Sequence, residues 1–340
     1  MKKSTHSFLE HHPNLKTGTA VVTAHRKVAE KTWRITLDAP ELAPLVRPGQ
    51  FLMIRLPDSA SPLLGRPFAV YSADERTGEI EVIYLTVGRM TERLAKVRPG
   101  ENLQWWGPLG NGWDIIEKRA AADHQGGSKK DETGHEGQPI VRGAKTAGAG
   151  PTAEGKLAEK KQTEGKNAEE DEKPLPFDHL VMVAGGIGQT PFFLLAQRYV
   201  QRVVPPKMTF LFGARNKDRM VDLGEFERLG IDVTVATEDG SAGRTGLATD
   251  FIEEKIAQSG VAPSRTTVAA CGPHPMLLAV FSEAKRLGNI PCFTSLESPM
   301  SCGMGLCFGC VIEYLGDDGK PDYRRTCVDG PVFDAYRLVW

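Results

Sequence analysis

The sequence lacks long apolar runs and lacks net charge. No stretch of its 340 residues approaches the roughly 18 consecutive apolar residues of a membrane-spanning helix, and residues 1–16 contain no continuous apolar segment of a secretory leader. The formal net charge is −1, so there is no overall basic field of the kind that draws proteins to nucleic acid or anionic membranes. We therefore expect a cytoplasmic protein that binds neither nucleic acid nor a membrane.

Aromatic residues are absent between Trp113 and Phe177, where Gly, Ala, Lys, Glu, Asp and Gln dominate. Such a segment cannot bury enough apolar surface to offset the entropy of ordering its backbone. We predict that residues 118–174 are a disordered, low-complexity insertion, with a functional charged arm as the alternative. Residues 1–16 are predicted to be a flexible tail.

Cysteine is scarce over most of the chain, which has six in total. Four of them lie near the carboxyl end: Cys302, Cys307, Cys310 and Cys327. Because disulfides are rare in a reducing cytoplasm, cysteines that cluster in this way are expected to bind metal or to act as catalytic thiols.

The regions on either side of the predicted insertion differ in their secondary-structure pattern. Before it, short runs rich in β-branched and aromatic residues alternate with Pro/Gly turns, at residues 19–24, 32–38, 51–56, 68–72 and 80–87. This spacing predicts an antiparallel β-barrel over residues 17–117. After it, four strand-then-helix units predict a parallel α/β domain over residues 175–294, with ligands at the carboxyl ends of its strands.

The clustered cysteines follow the C-x4-C-x2-C…C spacing of plant-type [2Fe–2S] ligation. Three ligands in so short a loop require backbone turns with positive φ, which glycines adopt without a Cβ clash. The glycines in question are Gly303, Gly305 and Gly309. A four-cysteine zinc site and unliganded thiols are the alternatives, although zinc favours two closely spaced pairs and only one is present. Residues 295–340 are thus predicted to be a small cluster-binding module near the surface.

Two segments of the predicted barrel carry groups suited to phosphate. Arg66 lies at a strand start, where its guanidinium can bind phosphate oxygens bidentately; an ordinary surface arginine is the alternative. The turn from Gly88 to Thr91 offers backbone amides and a hydroxyl to a pyrophosphate at the start of a helix. The glycine-rich stretch from Gly107 to Gly112 closes the domain, and a simple domain-linking turn is its alternative reading.

Glycine-bearing loops follow three of the predicted parallel strands. The first contains Gly185, Gly186 and Gly188 and leads into a helix, with Thr190 as its expected cap and Pro191 in its first turn. Asp239-Gly240 and Cys271-Gly272 follow two further strands at the same sheet edge. Together these loops predict a dinucleotide cleft, although tight strand–helix packing also explains the first one alone.

The order of these motifs resembles the ferredoxin–NADP reductase superfamily: Arg-Pro-Phe-x-x-Tyr from Arg66, Gly-x-x-Thr from Gly88, Gly-Pro-Leu-Gly-Asn-Gly from Gly107, then a nucleotide domain. The resemblance implies FAD held mainly by the barrel and a nicotinamide dinucleotide held by the second domain; the choice of NAD comes from the narrower resemblance that follows. It also implies that Cys271 and Gly272 lie at the hydride-transfer site, with Cys271 as a packing and orienting group. Ala69 and Met90 depart from the superfamily pattern, which often has Ser or Thr at the first position and Gly at the second.

The carboxyl-terminal segment narrows the resemblance. Ser295-Leu-Glu297 before the cysteines and Cys327-Val-Asp-Gly-Pro at the fourth one are similar to electron-transfer subunits of NAD-linked dihydroorotate dehydrogenases. The resemblance implies that electrons from dihydroorotate, oxidised on the FMN of a separate catalytic subunit, pass through the cluster and FAD to NAD+ in de novo pyrimidine biosynthesis. It also implies a heterotetramer of two plus two subunits.

The resulting site assignments combine residue chemistry with this resemblance. Hydride transfer is assigned to Cys271 and Gly272, and the cluster to Cys302, Cys307, Cys310 and Cys327. Cofactor binding is assigned to Arg66, Pro67, Phe68, Ala69, Gly88, Thr91, Gly107, Gly110, Gly185, Gly186, Gly188, Asp239 and Gly240. Two alternatives stay open: a small subunit of a bifurcating or glutamate-synthase-like transhydrogenase or another iron–sulfur flavoprotein reductase, and a zinc-bearing scaffolding subunit without redox chemistry.

Overall fold

The structure, a computed structural model, describes residues 14–57, 63–118 and 173–340. The tail predicted at residues 1–16 and the insertion predicted at residues 118–174 fall almost entirely outside these ranges. Both interpretations therefore stay predictions, as do the domain boundaries.

The amino-terminal half forms a closed barrel of six antiparallel strands in the order β1-β2-β5-β4-β3-β6. The strands are β1 (Lys16–Ala29), β2 (Thr32–Asp38), β3 (Phe51–Arg55), β4 (Arg66–Asp74), β5 (Glu79–Leu85) and β6 (Asn102–Leu109), with helix α1 (Arg89–Leu94) between β5 and β6. Apolar side chains such as Ile35, Val70 and Val82 fill its interior. The predicted barrel is confirmed.

Strand β6 is absent from the elements that the sequence predicts, because its last residues include Gly107 and Pro108 and read as a turn. In the structure Gly107 pairs with Lys16 of β1, and Leu109 pairs with Phe51 of β3. The strand closes the barrel through partners that are distant in sequence, and local residue patterns do not report such pairing.

The carboxyl-terminal half forms a seven-stranded sheet in the order β10-β9-β8-β7-β11-β12-β15. Its parallel strands are β7 (His179–Gly185), β8 (Lys207–Ala214), β9 (Asp232–Thr237), β10 (Arg244–Thr245), β11 (Thr266–Cys271) and β12 (Cys292–Ser295). The helices are α2 (Phe193–Val200), α3 (Gly224–Arg228), α4 (Ile252–Ser259) and α5 (His274–Arg286). The predicted α/β domain is confirmed. In the part of the chain that the structure describes, no helix is both long and apolar enough to cross a membrane.

The small carboxyl-terminal module leaves this sheet after β12 and returns to it. It contains the cysteine loop and a hairpin of β13 (Val311–Leu315) and β14 (Pro321–Arg325). The chain then re-enters the sheet as β15 (Val332–Asp334), which pairs antiparallel with β12. Both ends of the module are therefore anchored on the nucleotide-binding sheet.

The helix predicted to begin with Thr190 as its cap starts later. Residues 186–192 form a 3-10 helix, and α2 follows from Phe193. Thr190 lies inside the 3-10 segment and its hydroxyl donates to the carbonyl of Ile187. The prediction of Thr190 as a cap is wrong, because the glycine-rich loop coils into a tighter helix before the α-helix begins.

The barrel and the nucleotide domain are joined by a network of rings and charges. Tyr71 of β4 stacks on Phe193 of α2, with ring centroids 4.7 Å apart, and donates its hydroxyl to Glu225 of α3 at 2.5 Å. Arg34 of β2 donates to Glu225 at 2.8 Å and also pairs with Glu81 of β5. Burial alone would raise the pKa of Glu225, but hydrogen bonds from Arg34 and Tyr71 lower it below its usual value. A satisfied network of this kind fixes how the two domains face each other.

His179 makes the stability of the nucleotide domain depend on pH. The imidazole is fully buried at the start of β7, its Nε2 lies 2.9 Å from the Thr209 hydroxyl, and burial, assisted by the charge of Lys207, lowers the pKa of His179 to about 4. The unfolded chain, with an ordinary histidine pKa of about 6.5, binds this proton first, so acid favours unfolding. We expect His179 to contribute on the order of 3 kcal/mol above pH 6.5, and this contribution to be lost between about pH 6.5 and pH 4.

The measurement is the free energy of unfolding against pH for the wild type and His179→Gln. The glutamine cannot take up a proton, so the variant should lose less stability than the wild type over this interval. Parallel pH profiles for the two proteins would contradict the assignment.

Candidate redox site

A cavity of about 550 Å³ lies where the barrel, the nucleotide sheet and the carboxyl-terminal module meet. The barrel contributes Arg66 and Ala69, the nucleotide domain contributes Ile187 and Cys271, and the module contributes Glu297. The volume is within the range of small-molecule and cofactor sites, about 300–1,000 Å³. A ligand in this cavity would contact all three parts of the chain.

One part of the barrel wall of the cavity is the first part of β4. It comprises Arg66, Pro67, Phe68 and Ala69. The Nη1 atom of Arg66 donates to the carbonyl oxygens of Leu64 at 3.1 Å and Gly65 at 3.0 Å, which fixes the guanidinium beside the cavity. Because a guanidinium carries several N–H donors in one plane, Arg66 fits a diphosphate, and the neighbouring backbone offers a flat wall to a ring system.

The turn from Gly88 to Thr91 also lines the cavity. Its polar groups bond to each other: the N–H groups of Val87 and Gly88 donate to the Thr91 hydroxyl at 2.9 and 3.2 Å, and that hydroxyl donates to the Gly88 carbonyl at 3.0 Å. The side chain of Met90 in this turn is buried and packs in the apolar core of the barrel. Thr91 therefore shapes the rim, and its contact with a pyrophosphate stays a prediction.

Gly188 allows the nucleotide domain to approach the cavity closely. A Cβ atom at Gly188 would lie 2.1 Å from the carbonyl oxygen of Cys271, so any side chain there would push the loop after β7 away from the end of β11. This close packing brings Ile187 and Thr190 to the cavity wall beside Cys271.

The other predicted nucleotide-binding residues are not among those that line the cavity. Gly185 ends β7 and Gly186 follows it, Asp239 and Gly240 follow β9, and Gly272 follows β11, so all flank one edge of the parallel sheet. Asp239 accepts hydrogen bonds from the N–H and hydroxyl of Ser241, at 2.9 and 2.6 Å. Ser241 in turn accepts from the N–H of Lys217 at 2.8 Å, which joins the loops after β8 and β9. Binding of a dinucleotide along this edge stays a prediction.

Two polar residues of the cavity were not predicted. Ser295 ends β12 and Glu297 follows it, opposite Cys271. Burial raises the pKa of Glu297, and burial, with a smaller effect of the Glu297 charge, raises the pKa of the Cys271 thiol well above its ordinary value. Glu297 lines the cavity and is accessible to solvent, so it can take up or release a proton there. In the sequence, Ser295-Leu-Glu297 indicates only the family. The feature that could have identified Glu297 as a site residue is its carboxylate, which comes five residues before the first cluster cysteine.

A protonated Cys271 cannot act as a thiolate nucleophile. The structure therefore favours the packing and orienting role assigned to this residue, which stays a prediction.

The four clustered cysteines form two pairs. Cys310 and Cys327 are buried, with their sulfurs 3.2 Å apart. Cys307 is exposed and lies beside Cys302, which hydrogen-bonds to it through its backbone N–H and its thiol. A [2Fe–2S] cluster takes two thiolates at each iron, so two pairs fit it. Within the described ranges, no three His, Cys, Asp or Glu side chains converge on the position of a single metal ion.

Backbone N–H groups stabilise negative charge on these sulfurs. The N–H of Met304 donates to the Cys302 sulfur at 3.3 Å, and the N–H of Gly309, followed by that of Cys302, lowers the pKa of Cys307. The neighbouring Cys327 thiol lowers the pKa of Cys310 to about 6, and the hydrogen bond with Cys310 raises the pKa of Cys327. Thiolates are the form that binds iron, and the surroundings of Cys307 and Cys310 favour that form.

The positive φ angles of the loop are partly as predicted. Gly303 and Gly305 have φ of +71° and +80°. Gly309 does not, and the residue that takes the left-handed conformation is Phe308, at φ +55°. The expectation for Gly309 is wrong, because its neighbour makes the turn and Gly309 instead places its N–H towards Cys307.

The barrel holds the cluster module through two side chains. The indole N–H of Trp106 donates to the Cys302 carbonyl at 3.0 Å. The amide group of Asn111 donates to the carbonyl oxygens of Asp329 and Val332, at 3.0 and 2.8 Å, and accepts from the N–H of Val332 at 3.2 Å. A single barrel side chain thus spans the turn that follows the fourth cysteine.

Gly110 belongs to this junction, whereas Gly107 is packed inside the barrel. A Cβ atom at Gly107 would lie 2.6 Å from the Leu52 side chain of β3, and one at Gly110 would lie 2.5 Å from Pro331. Neither glycine is part of the cavity wall among the described residues. Their assignment to a cofactor stays a prediction.

Phe51 and Met300 separate the cavity from the buried cysteines. Both line the cavity, and both pack in the same apolar cluster as Cys310 and Cys327. The cysteine site and the cavity are therefore neighbours across a layer of apolar side chains.

The outer face of the cysteine loop is apolar and exposed. Leu306, Phe308 and Tyr323 are each at least 64% exposed, and Cys307 lies between the first two in sequence. Exposed apolar side chains grouped around a functional site mark an interaction surface.

Family models match all three parts of the chain. Residues 19–113 match an oxidoreductase FAD-binding domain, and residues 182–281 match an oxidoreductase NAD-binding domain. Residues 297–339 match the iron–sulfur cluster binding domain of dihydroorotate dehydrogenase B. The chain thus carries the three cofactor-binding domains predicted from its sequence.

Similar proteins align over nearly the whole chain. The dihydroorotate dehydrogenase B (NAD(+)) electron transfer subunits of Bacillus caldolyticus and Geobacillus kaustophilus are each 31% identical over 318 residues, which is 94% of this chain and 96% of theirs. The corresponding subunit of Desulforamulus reducens is 26% identical over 321 residues, 94% of this chain and 97% of its own.

Solved structures share the fold. An NADH-dependent reduced ferredoxin–NADP oxidoreductase aligns with a TM-score of 0.66 at 22% identity, over 96% of this chain and 91% of its own. The cytochrome b5 reductase domain of Ulva prolifera nitrate reductase aligns with a TM-score of 0.52 at 15% identity, over 80% of this chain and 94% of its own. At these identities the likeness shows the fold alone.

Replacing Asn111 should loosen the cluster module. Asn111→Ala removes the three hydrogen bonds to Asp329 and Val332 and leaves their backbone groups without this partner, so we expect the free energy of unfolding to fall by about 2 kcal/mol. Iron should also be lost faster to a chelator, which visible absorption can follow. Asn102→Ala, at an exposed position at the other end of β6, is the matched control and should match the wild type. Equal rates of iron loss in all three proteins would contradict the role of Asn111.

Proposed function

The chain belongs to the family of electron transfer subunits of NAD(+)-dependent dihydroorotate dehydrogenase B, and from this membership we propose that it links dihydroorotate oxidation to NAD+ reduction in pyrimidine biosynthesis. Dihydroorotate would be oxidised on the FMN of a separate catalytic subunit, in a heterotetramer of two plus two. Electrons would then reach NAD+ by way of an iron–sulfur cluster and FAD in this chain.

One observation carries this proposal: the cavity touches the barrel, the nucleotide edge and the cluster module at once. Phe51 and Met300 line the cavity and also belong to the apolar cluster that holds Cys310 and Cys327. On its other side the cavity borders Cys271 at the end of β11. This arrangement suits a path with one end at the cysteines and the other at the nucleotide.

Each part of the chain has a separate task in this proposal. Arg66 would bind the diphosphate of FAD, and the β4 backbone would support the flavin ring. Bound flavin supplies the junction chemistry, since it takes up electrons singly and gives them up as a pair. Cys271 would orient the nicotinamide, and Glu297, whose pKa is raised by burial, would exchange a proton close to the reacting ring.

The exposed face around Cys307 is the docking surface in this proposal. Leu306 and Phe308 flank the exposed cysteine in sequence, and together with the exposed Tyr323 of β14 they would be covered by the catalytic subunit. The buried pair faces the cavity side, so the cluster would lie between the two subunits' flavins.

Removing one cluster ligand tests the electron path. Cys307→Ser should lose or destabilise the cluster, because a hydroxyl is a poor ligand for iron, while the cavity, which Cys307 does not line, retains FAD. NADH-dependent dye reduction should persist, and dihydroorotate-dependent NAD+ reduction with the catalytic subunit should be abolished. Cys292→Ala removes a buried thiol outside the cluster and should keep iron, EPR signal and coupled activity. An unchanged EPR signal in Cys307→Ser would show that the ligand assignment is wrong.

Copurification tests the identity of the partner. The chain purified anaerobically from its own cells should carry iron and FAD and bring with it an FMN protein that oxidises dihydroorotate. Copurification of a large two-flavin dehydrogenase would instead favour the transhydrogenase alternative. A colourless protein with zinc in the cysteine site would rule out electron transfer.

A further inference from the structure

Arg325 lies between the loop that carries three of the cysteines and the turn that carries the fourth. It ends β14, two residues before Cys327. Its Nη1 atom donates to the carbonyl oxygen of Gly305 at 3.1 Å, so the side chain reaches across to the middle of the cysteine loop. Gly305 lies so close that a Cβ atom there would be 3.2 Å from Nη1.

The guanidinium also covers the residue that follows Cys307. Its central carbon lies 5.4 Å from the centroid of the Phe308 ring, within the range of a cation–π contact. Phe308 has the left-handed backbone conformation that aims the N–H of Gly309 at the Cys307 sulfur. Arg325 therefore contacts the cysteine loop at two places, Gly305 and Phe308.

The base of Arg325 is fixed by the turn around Cys327. Its backbone N–H donates to the Asp329 carboxylate at 2.7 Å, and its carbonyl accepts from the N–H groups of Val328 and Asp329, at 3.0 and 2.8 Å. The Nε atom lies 3.6 Å from the same carboxylate. Asp329 is itself held by Asn111 of the barrel. The charge of Arg325 is thus held in place, with its Nε side towards Asp329 and its Nη1 side towards the cysteine loop.

A fixed positive charge at this place has a redox consequence. Four thiolates outweigh the positive charge of a [2Fe–2S] core, so the centre is anionic and becomes more so on reduction. A nearby cation stabilises the reduced form more than the oxidised one. The Arg325 side chain is 24% exposed, so solvent screens its charge less than that of a free surface arginine.

We propose that Arg325 is a positioning residue of the iron–sulfur site that holds the three-cysteine loop against the fourth ligand and raises the reduction potential of the cluster. The inference rests on the proposed function, since it concerns the same cluster. It adds a residue that decides how readily this chain accepts an electron from its partner.

The test compares full-length wild type, Arg325→Gln, Arg325→Lys and Arg324→Gln by EPR-monitored redox titration and iron content. Arg324 is the matched control: it is the preceding residue of β14, pairs with Asp322 and lies over the Tyr314 ring, away from the cysteine loop. Arg325→Gln should have a lower cluster potential than both the wild type and Arg324→Gln. Arg325→Lys should restore most of the potential but release iron faster, because an ammonium cannot contact the Gly305 carbonyl and cover the Phe308 ring as a planar fork does.

Equal potentials in Arg325→Gln and Arg324→Gln would overturn the inference. If Arg325→Gln fails to keep iron, Asp329→Asn decides: it retains an acceptor for the Arg325 N–H but removes the counter-charge, so the potential should rise, and an unchanged potential would overturn the inference. A wild-type chain without an iron–sulfur EPR signal would instead contradict the proposed function, which keeps the two failures distinguishable.

Discussion

The hydrogen bonds of Asn111 to the turn after Cys327 hold the redox arrangement together. The cluster module rests on the nucleotide sheet through β15, and the Asn111 side chain ties it to the barrel on the other side. Asn111 supplies three of these hydrogen bonds, and Trp106 supplies one to Cys302. Because buried carbonyl and N–H groups need partners, this junction is specific in register as well as stable. The distance between cysteines and cavity depends on it.

The two large domains are fixed by a different kind of contact. Tyr71, Arg34 and Glu225 form a hydrogen-bonded network beside the Tyr71–Phe193 stack, and none of these groups can move far without leaving a charge unpaired. A cavity built from three parts of a chain needs such rigidity, since a small rotation would separate its walls. Charged and hydrogen-bonded contacts therefore fix the orientation of the two large domains, whereas apolar side chains fill the space between the cysteines and the cavity.

The iron–sulfur module has two faces with different surroundings. Cys310 and Cys327 are buried on the side of Phe51 and Met300, whereas Cys307 lies on the exposed side with Leu306 and Phe308. Family membership explains why such a chain needs a partner, and this asymmetry explains where the partner would be received. Backbone N–H groups and Arg325 then set the charge balance around the sulfurs.

The sequence by itself determined the features that depend on local spacing. These are the four cysteines with the spacing of [2Fe–2S] ligands, the glycine loops after parallel strands, the other five barrel strands and the family. Only the tertiary structure decided which residues meet. Strand β6 pairs with strands far away in sequence, Glu297 lines a cavity with residues of other domains, and Asn111 hydrogen-bonds to Val332. The left-handed turn in the cysteine loop is made by Phe308, a residue type that rarely adopts this conformation. Local patterns report propensity and chemistry, whereas a cavity shared by three domains exists only after distant segments have packed.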